Sequence, residues 1–106
     1  MILVALFFAA VFAVNGIPHF VQGVCGHRFQ SPFASPPGVG ESSPVVNVLW
    51  GAFNFLVAYC LLRWAGPFVI GLNLASLVFF GGGLAMALAL SQHFGKVRNA
   101  TGRSDN

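Results

Sequence analysis

Residues 45–62 read VVNVLWGAFNFLVAYCLL, eighteen consecutive positions without a charge. An α-helix of that length is about 27 Å long, close to the roughly 30 Å hydrocarbon core of a bilayer. Both ends are marked. Ser43 offers a capping hydroxyl, and Pro44 suits the first helical position, where a missing N–H costs nothing. After Leu62 come Arg63 and Trp64, a cation and an aromatic suited to the headgroup level. The pattern predicts a transmembrane helix over about residues 44–63.

On its C-terminal side, Ala65-Gly66-Pro67 reads as a tight reversal into a second apolar run that lasts to Leu90. A helix over about residues 67–91 is expected, with Ser91, Gln92 and His93 leading into a polar, basic tail over 95–106 that should be disordered. On the N-terminal side, Ile2 to Val14 carries no charge and the run continues to Phe20. A helix over about residues 1–20 would be roughly 30 Å long, with Pro18 bending or ending its last turn. Val11-Phe12-Ala13 resembles a signal-peptide cleavage site, but no basic residue precedes the apolar run, so an uncleaved helix is expected. Between the first two helices, Pro32, Pro36, Pro37 and Pro44, with Gly26, Gly38 and Gly40, exclude a regular helix. An extended, stiff loop along the membrane interface is expected there, held by Phe29 and Phe33.

Composition agrees with this architecture. Of the 106 residues, 57% are hydrophobic and 7% charged, where a soluble domain carries about 25% charged residues. So few charges cannot cover a soluble surface, and the fold class is an all-α integral membrane protein with three transmembrane helices in a single membrane domain, residues 1–94. The partner implied first is the lipid bilayer. Three basic residues in the tail, Lys96, Arg98 and Arg103, are too sparse for nucleic acid. They do set orientation. With three spans, Arg28, Lys96, Arg98 and Arg103 share one side and Arg63 stands alone on the other. The positive-inside rule then places the N-terminus outside and the C-terminus in the cytoplasm, in a bacterial inner membrane. Cys25 and Cys60 form no CxxC pair and should lie at opposite membrane surfaces.

No Asp, Glu, Lys or Arg falls inside a predicted span. That argues against proton-coupled transport and ion conduction, which leave ionisable residues at membrane depth. Neutral polar and small residues remain. Asn47, Gly51, Asn54 and Ala58 recur at spacings of four, three and four, on one face of the second helix. Asn73, Ser76, Gly83 and Ala87 share a face of the third, where Gly81-Gly82-Gly83 leaves a shallow groove. Asn15, His19 and Gln22 share a face of the first if it continues past Pro18. Such seams hold helices together, because lipid supplies no hydrophobic drive between them and small residues let backbones approach. Asn54 and Ser76 fall at similar depth on this reading, and Asn54 is expected to bond across to Ser76 or to a neighbouring backbone. The alternative use of the same residues is a path or site for a polar ligand.

His19, Cys25, His27 and His93 all fall at the cytoplasmic side and are the weak candidates for a metal or haem. Cys25-Gly26-His27 lacks the Cys-x-x-Cys-His of haem attachment, so no cofactor is assigned. No nucleophile, base and orienting acid fall together, and no enzyme activity is expected. The function expected is a packing, accessory or oligomer-forming membrane protein that associates with itself or with a larger membrane complex. A small transport or ligand-binding protein is the alternative.

Overall fold

The structure, a computed structural model, describes residues 1–100. It has three helices, α1 (Ile2–Val24), α2 (Pro44–Ala65) and α3 (Leu74–Ala100). All three are long and apolar enough to cross a membrane. Two short antiparallel strands, β1 (Phe29–Gln30) and β2 (Glu41–Ser42), lie in the connection between α1 and α2. α1 stands in the middle, with α2 and α3 packed along different sides of it and no extended interface between those two. The body measures 43 × 26 × 22 Å.

Each helix departs from its sequence-based bounds for a local reason. α1 does not stop near Phe20 but runs through Pro18 to Val24. Proline removes the donor that would pair with the Val14 carbonyl, yet His19 and Gly23 beyond it are buried, and packing of that kind outweighs a local helix breaker. α2 starts at its cap, where the Ser43 hydroxyl accepts from the Val46 N–H at 3.2 Å. It closes at Gly66, whose φ of 86° carries the chain out of the helix.

α3 corrects the expected third span at both ends. It begins at Leu74, not Pro67, because Asn73 takes the capping role: its Oδ1 accepts from the Ser76 N–H at 2.8 Å and its Nδ2 donates to the Val69 carbonyl at 2.7 Å. Asparagine favours this position because its side chain replaces the missing intrahelical partner. At the far end the helix continues through His93, Lys96 and Arg98 to Ala100. The first part of the expected tail is therefore helical. Val97 is buried and the Phe94 ring meets Phe29 at 4.8 Å, so an apolar face persists past Leu90. The rest of that tail, including Arg103, lies outside the described residues.

The proline-rich loop is a folded hairpin instead of an extended linker. Ser31 organises it: its carbonyl accepts from the Gly38 N–H at 2.8 Å, and its hydroxyl meets Ser42 and accepts from the Phe33 N–H. The Ser35–Pro36 peptide bond is cis. From α3, the His93 Nε2 donates to the Gly38 carbonyl at 2.7 Å and ties the hairpin tip to the bundle. Phe29 is buried while Phe33 is exposed. At the opposite end of the bundle, Ala5, Leu6 and Ala65 gather Leu62, Phe68, Ala75 and Phe79 in an apolar cluster.

Candidate functional site

The polar side chains of α1 and α2 meet along one seam. Asn15, Gly16, His19 and Gly23 line α1, and Asn47, Gly51, Asn54 and Ala58 line α2. The two helices run antiparallel, so Asn15 faces Asn54 and His19 faces Asn47. Asn15 Nδ2 donates to Asn54 Oδ1 at 2.9 Å, and Asn54 Nδ2 donates to its own helix at the Trp50 carbonyl, 2.8 Å away.

Asn47 is the richer junction. Its Nδ2 lies 3.1, 3.2 and 3.1 Å from the carbonyls of Phe29, Ser42 and Ser43. Three carbonyls can face only the amide nitrogen, whose two N–H groups they share, so the oxygen must point the other way, at His19 Nδ1, 2.9 Å away. His19 therefore carries its proton on Nδ1 and donates it. One buried side chain thus joins α1, both strands and the start of α2. Asn47 and Asn54 are both fully buried.

Glycines close the gap between these pairs. A methyl group on Gly51 would fall 2.7 Å from the Phe20 nitrogen, and one on Gly16 would fall 2.9 Å from the Gly51 carbonyl oxygen. The backbones touch there, which side chains larger than hydrogen would prevent. Aromatic rings finish the hairpin end. The His19 ring meets Phe29, Trp50 and Phe94 edge-on at 5.4, 6.4 and 6.3 Å.

The third helix joins this seam only in part. Gly82 lies against α1, where an added methyl would stand 2.7 Å from the Phe7 carbonyl oxygen, and Gly83 faces Val14. Asn73 and Ser76 do not face α2. Ser76 Oγ accepts from the Gly71 N–H at 3.0 Å and lies 3.3 Å from the Val69 carbonyl, so both residues build the start of α3. The expected Asn54–Ser76 pair is replaced by Asn54–Asn15. The turn residues Gly71-Leu72-Asn73, followed three residues later by Ser76, carried the signal for this helix start.

The weak metal candidates are dispersed. His19 bonds Asn47, His27 Nδ1 bonds Gln22 Oε1 at 2.9 Å, His93 bonds Gly38, and Cys25 is exposed. Among the described residues no three His, Cys, Asp or Glu side chains come together. The chain matches no protein-family model, no curated protein and no solved structure.

Proposed function

We propose that this chain is a three-span integral membrane protein without enzymatic activity, acting as a packing or accessory component that assembles with itself or with a larger membrane complex. The reading is supported by one observation above others: the amide and imidazole side chains of the α1–α2 seam are hydrogen-bonded within the chain. Asn15, His19, Asn47 and Asn54 bond within the chain, and Gly16 and Gly51 bring the backbones into contact between them. A solute path needs open polar groups along a passage, and this seam has its amides engaged and its gap closed. The faces of α2 and α3 turned away from α1 are apolar, with Leu49, Phe53 and Leu56 exposed on one and Leu77, Leu84 and Leu88 on the other. Lipid or a partner helix solvates such faces.

The orientation proposed has the N-terminus outside and the hairpin and C-terminus in the cytoplasm of a bacterial inner membrane, since Arg28, Lys96 and Arg98 share the hairpin end. Purification of the tagged chain in mild detergent, with mass spectrometry and size measurement, tests the assembly. Recovery of a larger complex or a homo-oligomer is expected. A lone monomer would remove the reading. A solute-dependent phenotype lost in Asn54→Val, with assembly intact, would put a ligand path in its place.

A further inference from the structure

The hairpin end of the bundle holds a polar cavity of about 410 Å³, apart from the amide seam. Its polar lining is Gln22, His27, Arg28, Gln30, Glu41 and Arg98, above the ring of Phe29. The charges come from three separate places in the chain: the turn after α1, strand β2, and the last turns of α3. Arg28 donates to the Glu41 carbonyl at 3.0 Å, and Gln30 Nε2 lies 3.5 Å from the Glu41 carboxylate. His27 is oriented by its bond to Gln22. Arg98 and Glu41 each hold a further interaction within the chain, so these two charged groups are held in place.

We infer that this cavity binds the headgroup of a phospholipid, and that its chemistry fits a phosphodiester carrying a primary ammonium. The inference rests on the membrane reading above, which puts these helix ends at headgroup depth. Two guanidinium groups supply charge-assisted, forked donors for a phosphate. A lone pair of arginines would take any anionic lipid. Glu41 in the same cavity changes that preference, because it repels a purely anionic group and accepts hydrogen bonds from an ammonium. Phosphatidylethanolamine has both charges within one short headgroup. Phosphatidylglycerol lacks the cation, and the quaternary ammonium of phosphatidylcholine has no N–H to donate.

The full chain, delipidated in detergent, is titrated with phosphatidylethanolamine, phosphatidylglycerol, phosphatidylcholine or inorganic phosphate and read by native mass spectrometry. Phosphatidylethanolamine is expected to bind several-fold better than the other two lipids. Arg98→Gln should weaken binding of every phospholipid about tenfold, the loss of one charge-assisted contact. Glu41→Gln should keep lipid binding and raise the affinity for phosphatidylglycerol to at least that for phosphatidylethanolamine, a gain that a misfolded protein cannot produce. Equal binding of all three lipids to the wild type, or no effect of Arg98→Gln, overturns the site. Displacement of the lipid by millimolar inorganic phosphate would make it a soluble-phosphate site and overturn the lipid assignment. Membrane embedding is checked separately by carbonate extraction, so its failure is distinguishable from failure of the headgroup site.

Discussion

Asn47 joins four segments with one side chain: α1 through His19, the strands through the Phe29 and Ser42 carbonyls, and its own helix start through Ser43. Asn54 has a smaller role, one bond across to α1 and one along α2. Side-chain bonds between membrane helices average about 0.6 kcal/mol and reach about 1.7 kcal/mol. Asn54→Val should therefore destabilise the bundle by about that amount in a detergent–SDS unfolding titration. Asn47→Leu should cost about 2–3 kcal/mol, since it takes their partner from the buried His19 ring and Phe29 carbonyl. Equal costs for the two variants would show that Asn47 is not the junction. A double-mutant cycle between His19→Leu and Asn47→Leu isolates their bond, and a coupling of about 1 kcal/mol is expected. Strict additivity would mean that the two side chains act independently.

Between elements, the spacing of helices is set by where a Cβ can fit. A methyl group added to Gly51 or to Gly82 would stand 2.7 Å from a backbone atom of α1, while one added to Gly81, next to Gly82 on the same helix, would meet nothing within 4 Å. Gly51→Ala and Gly82→Ala should each destabilise by about 1–3 kcal/mol, as overpacked contacts do. Gly81→Ala should be neutral or slightly stabilising, because alanine is the better helix former by up to about 1 kcal/mol. Thermal unfolding of the three purified variants checks the pattern, and a destabilised Gly81→Ala would mean that α3 is rotated about its axis. The hairpin has its own tether. Removing the His93 side chain with His93→Ala should leave the helices intact and speed proteolysis near Gly38, the residue it holds. Unchanged cleavage would show that the hairpin keeps its place through Ser31 and Asn47 alone.

For the molecule as a whole, the central position of α1 means that both other helices pack mainly against it. The long axis of 43 Å exceeds the roughly 30 Å of hydrocarbon core, and on the membrane reading proposed above the hairpin and the end of α3 would lie at one headgroup layer. Reporter fusions after Gly38 and after Ala100 should report cytoplasm, and one after Gly66 the opposite side. A cytoplasmic signal at Gly66 would overturn the three-span arrangement. Cys25 lies just past the end of α1 and Cys60 sixteen residues beyond the start of α2, about 24 Å along the helix axis. A disulfide requires Cα atoms within about 7 Å. Non-reducing electrophoresis with peptide mapping should find no Cys25–Cys60 bond within a monomer, and finding one would contradict the fold.

The number of helices, the start of α2 at Ser43 and the polar face of Asn47, Gly51, Asn54 and Ala58 were all legible in the amino-acid order. These depend on local rules: a run of apolar residues, a capping hydroxyl, and the 3.6-residue period that puts four positions on one side. The start of α3 was also local, in the turn residues before Ser76, but the charge-free, mostly apolar run from Pro67 onward masked it. Three features came from packing in three dimensions: Asn54 meets Asn15 and not Ser76, Asn47 reaches the hairpin, and α1 continues past Pro18. Each of these depends on how far one helix is slid and rotated against another. That register comes from backbone contact at Gly16 and Gly51 and from carbonyls brought near by the folded loop, groups separated along the chain by dozens of residues and carrying no local periodicity.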